Sequence, residues 1–484
     1  MKKTVFFCAS SSYIHTMLAA RYMTANCDYP VEIIETNVNV PLEKNMERLL
    51  SLNPDIVAFP CYIFNITYVE KVIDELKKAL PGVVVIIGGY EVAFHTEKYV
   101  NAVDYIIRGE GDFSFGALID KLQKNDFSSP RIIESGTVKN LDGIKSPYTD
   151  QYLSLGEENR IIYMETCRGC PFACSYCMSA NTRGVRSFSL ERVFSDLLKV
   201  KRFSPPLVKF VDRTFNYDRK RARSIFTFLI ENFNEGKTRF HFEVEPELFD
   251  EETFDLLKTA PKGLFQFEVG IQSYNKDTLN AVNRRANFEV IDKNMKSLCR
   301  LENVHVHADL IAGLPKEDFS SFKESFDRLF SFFPSCLQLG FLKVLRGSVI
   351  YGEDYAYEVN DFPPYEIISS PWMSKKELLY LHKIERFLDV FYNSSRFTRS
   401  VKFLVPRYFS PFEFFAKLNE FAESKNIEIK KIAALKQCDF LYDFALNALD
   451  DEAQKELERL IYEDFIASGN VRPWHKWLKK DRKI

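Results

Sequence analysis

The sequence predicts an α/β protein in three parts: an N-terminal doubly wound Rossmann-like sheet, a central partial (β/α)6 barrel and a mostly α-helical C-terminal domain. Three observations carry that reading. Short β-branched runs alternate with amphipathic stretches over residues 1–125. A second series of strand-like runs, each ending in polar residues or glycine, occupies residues 159–355. From residue 356 to 484 the alternation stops and aromatic residues recur at three- and four-residue steps, as on helix faces.

Residues 4–9 read as the first strand, stopped by Ser10-Ser11-Ser12. Two lysines ahead of an apolar stretch look like a signal peptide, but the stretch falls short of the roughly 7–15 residues plus cleavage site that one needs. Residues 13–26 read as a helix, 31–38 as a strand, 42–52 as a helix, 55–62 as a strand and 68–80 as a helix closed by Pro81-Gly82. Residues 83–87 are β-branched throughout, which suits a parallel strand buried on both faces. Residues 105–107 give a fifth strand and 113–123 a last helix. Strands separated by helices predict βαβ units, whose ligands lie over the carboxyl ends of the strands. Those ends fall at residues 10–12, 37–39, 61–65, 88–91 and 109–112. Residues 126–158, rich in Ser, Pro, Asp and Gly, read as a linker.

The central series starts with a strand at 160–164 that runs into a cysteine-rich loop. A helix at 190–201 and strands at 207–211, 239–244, 264–269, 305–311 and 336–342 follow. About six units are too few for the ~250 residues of a full barrel and predict a partial one with a wide mouth. Polar residues gather at these strand ends, and strand alternation puts Glu243 and Glu245 on one face. Such a pair would also suit glycoside hydrolysis, but nothing else in the chain supports it. Beyond residue 356, helices are expected at 375–392, 411–424, 432–448 and 451–466, with Phe387, Phe391, Phe412 and Phe415 facing a core. The tail carrying Trp474, His475 and Trp477 reads as a solvated basic terminus.

Composition narrows the classes. At 484 residues the chain suggests about three domains at ~150 residues each. Lys plus Arg number 65 against 67 for Asp plus Glu, so no electrostatic footprint for DNA or a membrane surface exists. No apolar run approaches the ~20 residues that span a bilayer. Ten cysteines, four of them clustered, do not form a disulfide framework and predict a reduced, cytoplasmic protein.

The cluster is the most informative stretch. Cys170, Cys174 and Cys177 make a C-x3-C-x2-C triplet. Thiolates hold [4Fe–4S] cubes, and three leave one iron open to bind and activate a ligand. Zinc sites more usually use two separated pairs, and no second pair follows here. Cys167 stands three residues before Cys170 and keeps a second reading open: a four-thiolate centre with no free iron, serving electron transfer or scaffolding.

This loop, with Tyr176 just before the third cysteine, resembles the signature of radical S-adenosylmethionine (SAM) enzymes. The resemblance implies a [4Fe–4S] cluster on Cys170, Cys174 and Cys177 whose open iron binds SAM and whose electron cleaves it to a 5′-deoxyadenosyl radical. It also implies SAM contacts from Tyr176, Asp212, Arg213, Glu243, Glu245, Glu268, Gln272 and Asp309. The first 125 residues, through Tyr13-Ile14-His15-Thr16, Ile87-Gly88-Gly89-Tyr90-Glu91 and Arg108-Gly109-Glu110-Gly111, resemble the cobalamin (B12)-binding domain of cobalamin-dependent radical SAM enzymes. That implies cobalamin contacts from Ser10, Ser12, Tyr62, Asn65, Gly88, Gly89, Tyr90, Glu91, Gly109, Glu110 and Gly111. The Asp-x-His-x-x-Gly motif that supplies an axial histidine elsewhere is missing, so His15 is not read as a cobalt ligand. The family implies methylation of an unactivated carbon under anoxia, with cyclisation or rearrangement as the alternative. It further implies an electron donor such as flavodoxin or ferredoxin, and a substrate that is a small molecule, a peptide or an RNA base. No protein acid or base is singled out as catalytic.

Overall fold

A computed structural model describes residues 1–182 and 184–469. The basic tail around Trp474 lies outside the described residues. The chain forms two compact units. One holds Met1–Phe267, Lys343–Glu353 and Val359–Glu366; the other holds Glu268–Leu342, Asp354–Glu358 and the chain from Ile367 on.

The first unit opens with six strands: β1 (Thr4–Ser10), β2 (Val31–Asn37), β3 (Ile56–Pro60), β4 (Val84–Gly88), β5 (Tyr105–Gly109) and β6 (Ile132–Gly136). They lie in the order β2-β1-β3-β4-β5-β6, every described pair parallel. All of β1 is buried: Val5, Phe7 and Ala9 pack into one core, Phe6 and Cys8 into another on the opposite face. Two buried faces are why this strand reads as a continuous apolar run. The order reverses between β1 and β3, which opens a crevice outside their carboxyl ends.

Two features depart from the sequence reading. The stretch expected to be a linker supplies β6, a half-buried edge strand whose short Ile132-Ile133 core is hidden among polar residues. The first helix begins at Leu18 and not at Tyr13. Residues 13–16 are drawn off the helix by the chain ahead of the second sheet. Ile161 N–H donates to Ile14 O at 2.7 Å, Thr16 Oγ1 to Ile161 O at 2.8 Å, and Arg160 to Tyr13 O and His15 O. Here tertiary bonding overrides helical propensity.

The same unit continues with β7 (Ile162–Met164), the antiparallel hairpin β8 (Cys167–Cys170) and β9 (Gly184–Ser187), then β10 (Leu207–Phe210) and β11 (Arg239–Val244). Strands β7, β10 and β11 run parallel, and the start of β12 (Phe265–Gln272) is next in order. Phe210, Phe226, Phe240, Phe242, Phe265 and Phe267 are fully buried behind these strands, with rings as close as 4.5 Å for Phe210 and Phe242. Much of the unusual phenylalanine content is therefore close-packed core.

The second unit carries the rest of β12, then β13 (Val304–Ala312) and β14 (Cys336–Phe341), which pair in parallel from His307↔Cys336 to Ala312↔Phe341. After β14 its helices are Lys375–Leu388, Thr398–Leu404, Pro411–Ser424, Ala434–Ala445 and Asp451–Ala467. Phe387, Phe391, Phe412 and Phe415 are buried, as their spacing predicts. The first of these helices continues through a π-turn at Asp389–Asn393, which aims Asn393 at the edge of the sheet. Its amide accepts from Leu337 N–H and donates to Leu337 O, both at 2.9 Å. That pairing covers an edge that would otherwise be a template for another strand. Among the described residues, no helix is long and apolar enough to cross a membrane.

Candidate active site

The cysteine loop is held at both ends. Gly169 sits at φ +92°, where a Cβ would lie 2.1 Å from Gly184 O, so the hairpin closes only on glycine. Cys177 N–H donates to Cys174 O at 3.0 Å, Ile350 N–H to Ser175 O at 2.9 Å, and Asn181 to Gly347 O at 2.8 Å. All ten cysteines are free thiols. The Arg213 guanidinium faces Cys170 and Cys177 and lies 3.8 Å from Glu243.

Cys167 is different. It is buried, and its thiol is hydrogen-bonded to Asp212; burial and that carboxylate push its pKa far up. Asp212 in turn accepts from Thr166 N–H at 3.0 Å and Thr166 Oγ1 at 2.5 Å. With Cys167 held as a thiol, three cysteines of the loop remain as candidate donors: Cys170, Cys174 and Cys177. Three thiols and an adjacent cation fit a [4Fe–4S] cube with one open iron. Among the described residues no three His, Cys, Asp or Glu side chains converge on a single-ion position, and a cube takes its thiolates on separate irons.

A cavity of about 860 Å3 lies within the first unit. The strand ends of the first sheet line one side: Ser10, Tyr62, Gly88, Gly89, Tyr90, Gly109, Glu110 and Gly111. The other wall comes from Tyr163, Glu165, Cys167, Arg168, Gly169, Arg186 and Arg213. Phe64 and Tyr90 line it with 44% and 45% of their surface exposed. Large apolar groups left open at a strand-end crevice mark a ligand face. The glycines, the aromatics and the volume fit a corrin.

Three expected cobalamin contacts do not line this cavity. Ser12 is tied up locally, its carbonyl accepting from His15 N–H. Asn65 is 1% exposed and staples strand ends together: it donates to Ala9 O and Pro60 O and accepts from Tyr62 N–H. Glu91 accepts from the Tyr365 hydroxyl. Of the expected SAM contacts in this unit, only Arg213 lines the cavity. Tyr176 is half-buried in the cysteine loop. Asp212 is 1% exposed and engaged behind the loop, and Glu245 is buried with its backbone paired to the Asn216 amide. Glu268 and Gln272 on β12 and Asp309 on β13 belong to the second unit, on faces whose residues are half-buried while their neighbours are fully buried.

The sequence reading missed the ionic set on the cavity wall. Arg168 reaches Asp112 at 2.6 and 3.0 Å, Glu165 at 3.0 Å and Glu110 at 3.3 Å. Arg186 binds Glu110 at 2.5 and 3.0 Å. Apart from Glu165, three residues before Arg168, these partners lie 56 to 76 residues apart and leave no local signal. His15 also lines the cavity, with Nδ1 2.7 Å from the Tyr163 hydroxyl; burial, then Lys209 and Arg160, lower its pKa.

Gly89 adopts φ +111°, and a Cβ there would fall 2.4 Å from Cys61 O. Gly89→Ala is expected to cost about 1–3 kcal/mol through backbone strain, read as a lower melting temperature. Gly88→Ala, whose Cβ would meet Ile107 O at 3.2 Å, is expected to cost less.

Residues 6–119 match the B12 binding domain family and residues 164–329 the radical SAM superfamily. The chain thus joins a B12-binding domain to a radical SAM domain, the pairing found in cobalamin-dependent radical SAM enzymes. Residues 353–484 match a family of proteins of unknown function, DUF4080. The chain is similar to the cobalamin-dependent radical SAM methyltransferase TokK of Streptomyces tokunonensis, at 26% identity over 309 residues, covering 57% of this chain and 45% of the relative. It spans about half the length of the relatives it matches. Among solved structures it resembles the cobalamin-dependent SAM radical enzyme OxsB with aqua-cobalamin and SAM bound: TM-score 0.64, 12% identity, 96% of this chain and 84% of that one. It also resembles the radical SAM methyltransferase TsrM of Kitasatospora setae, with TM-score 0.61, 15% identity, and 76% and 82% coverage. At these identities the structural likeness speaks for the fold.

Proposed function

We propose that this chain is a cobalamin-dependent radical SAM enzyme that methylates an unactivated carbon of its substrate. One observation carries the reading: a single corrin-sized cavity is walled by the strand ends of the B12 domain and by the hairpin that leads into the cysteine loop. When bound, the cluster and SAM supply radical chemistry, and cobalamin supplies a methyl carrier.

The chain's residues provide position and electrostatics. Cys170, Cys174 and Cys177 hold the cluster, and the Arg213 guanidinium faces two of them. Tyr62, Tyr90 and the glycines at 88, 89, 109 and 111 bed the corrin. Tyr176, Glu243, Glu245, Glu268, Gln272 and Asp309 are the polar groups assigned to SAM, with Asp212 positioning the loop from behind. The assignment divides the chain at 1–125, 159–355 and 356–484, with β6 of the 126–158 stretch joined to the first sheet. A flavodoxin or ferredoxin supplies electrons in the cytoplasm. The substrate is a small molecule, a peptide or an RNA base.

The test uses methyl-deuterated SAM and candidate substrates under anoxia. The expected result is label in the product, with equal 5′-deoxyadenosine and S-adenosylhomocysteine. Turnover yielding 5′-deoxyadenosine and an unlabelled product would replace methyl transfer with cyclisation or rearrangement.

A further inference from the structure

Glu165 follows β7 and opens the approach to the cysteine hairpin, on the wall of the cavity assigned to the corrin. Its side chain is 14% exposed, and both contacts from Arg168 fall on Oε2 at 3.0 Å. Arg168 is already shared with Asp112 and Glu110, and Arg186 is taken by Glu110. Three carboxylates thus share two guanidiniums, leaving one negative charge in excess. A corrin rim carries uncharged carboxamides, which pair with a carboxyl group as donor or acceptor.

We propose that Glu165 is a positioning residue for the corrin, its carboxyl hydrogen-bonding a rim carboxamide of cobalamin. The inference rests on the corrin reading of the cavity. The charge balance fixes which form binds. Burial, opposed by the pull of Arg168 and aided more weakly by Asp212 and Asp112, pushes Glu165 up to about 7. A corrin would displace the remaining water and penalise the ionised form further. The neutral carboxyl, donating to an amide oxygen, is therefore the binding form.

A group whose pKa is higher in the complex than in the free protein gives affinity that is complete below the free value and lost above it. Cobalamin should bind most tightly below pH about 7 and more weakly as pH rises. The other groups facing this carboxyl are Asp112 and Glu110 after β5, Arg168 and Arg186 on the hairpin, and Asp212 after β10. Tyr22 and Tyr148, which burial pushes up, stay neutral through this range. Burial, then Lys209 and Arg160, lower His15 from its ordinary value.

The experiment is equilibrium dialysis of the full chain against cyanocobalamin, whose own protonation does not change in this window. Wild-type affinity is expected to fall about fivefold between pH 6 and pH 8. Glu165→Gln, permanently neutral and still a donor, should keep the acid-side affinity throughout, and Glu165→Leu should bind weakly at every pH. Tight wild-type binding that is flat with pH would overturn the role of Glu165 and leave the corrin site standing. Gln and Leu variants that behave alike would do the same. A wild-type chain that binds no cobalamin at any pH would overturn the site itself.

Discussion

Alanine at Cys170, Cys174 or Cys177 is expected to abolish both the visible absorption of the reconstituted [4Fe–4S] centre and the formation of 5′-deoxyadenosine, while Cys167→Ala keeps both. The sequence alone leaves four thiols in contention, and the structure separates them. Cys167 lies on β8 with its thiol bonded to a carboxylate that is itself fixed by Thr166. Ligation would require that thiol to ionise beside Asp212, in a buried setting that already disfavours charge. Cys170 and Cys177 instead face the Arg213 guanidinium and, among the described residues, have no carboxylate hydrogen bond like that of Cys167 to Asp212. Removing the Cys167 thiol deprives Asp212 of one donor and costs about 1–3 kcal/mol of stability, not the cluster. The checks are iron and sulfide content, visible spectra and product analysis under anoxia. Loss of the cluster in Cys167→Ala, with SAM left intact by the wild type, would establish the four-thiolate centre.

Wherever one face or one loop held the signal, the sequence was readable. The β-branched run ahead of Gly88 announced a doubly buried strand, the strand-end glycines announced the crevice, and the C-x3-C-x2-C spacing announced the cluster. Helix Pro411–Ser424 was legible to the residue because Ser410 caps it, Pro411 opens it and its phenylalanines keep helical step. What escaped depends on distance. Strand β6 needs β5 beside it to be a strand at all, and residues 13–16 leave the helix only because Arg160 and Ile161 bind them. Glu110 reads in sequence as a member of a glycine-rich ligand loop. In the structure both its oxygens are engaged by arginines of the cysteine hairpin and by Val138 N–H. Nothing in the local spacing of Arg168 or Arg186 reveals that.

That ionic set makes the second large prediction: Arg168→Met is expected to destabilise the first unit by about 3–5 kcal/mol, the usual cost of removing one partner from a buried charge pair. Asp112 and Glu165 are 6% and 14% exposed and would lose the guanidinium that compensates them. Such a loss is a large part of the ~5–15 kcal/mol that holds a domain folded. Because Arg168 sits two residues before Cys170 on the same strand, the hairpin should loosen with it and cluster reconstitution should fall. Arg168→Lys keeps the charge but not the forked contact with Asp112, so an intermediate loss is expected. Adding Asp112→Asn to Arg168→Met should recover part of the stability, since it removes an uncompensated charge and not a favourable one. The pH dependence has a definite sign. Burial already pushes Glu165 up to about 7 against the pull of Arg168, and in Arg168→Met that pull is lost and its folded-state pKa rises further, so the variant should gain stability relative to wild type as pH is lowered. Thermal melts across pH, with hydrogen exchange at the hairpin amides, read both effects. A variant that melts within about 1 kcal/mol of wild type would mean that these charges are solvated like a surface pair, whose median worth is no larger.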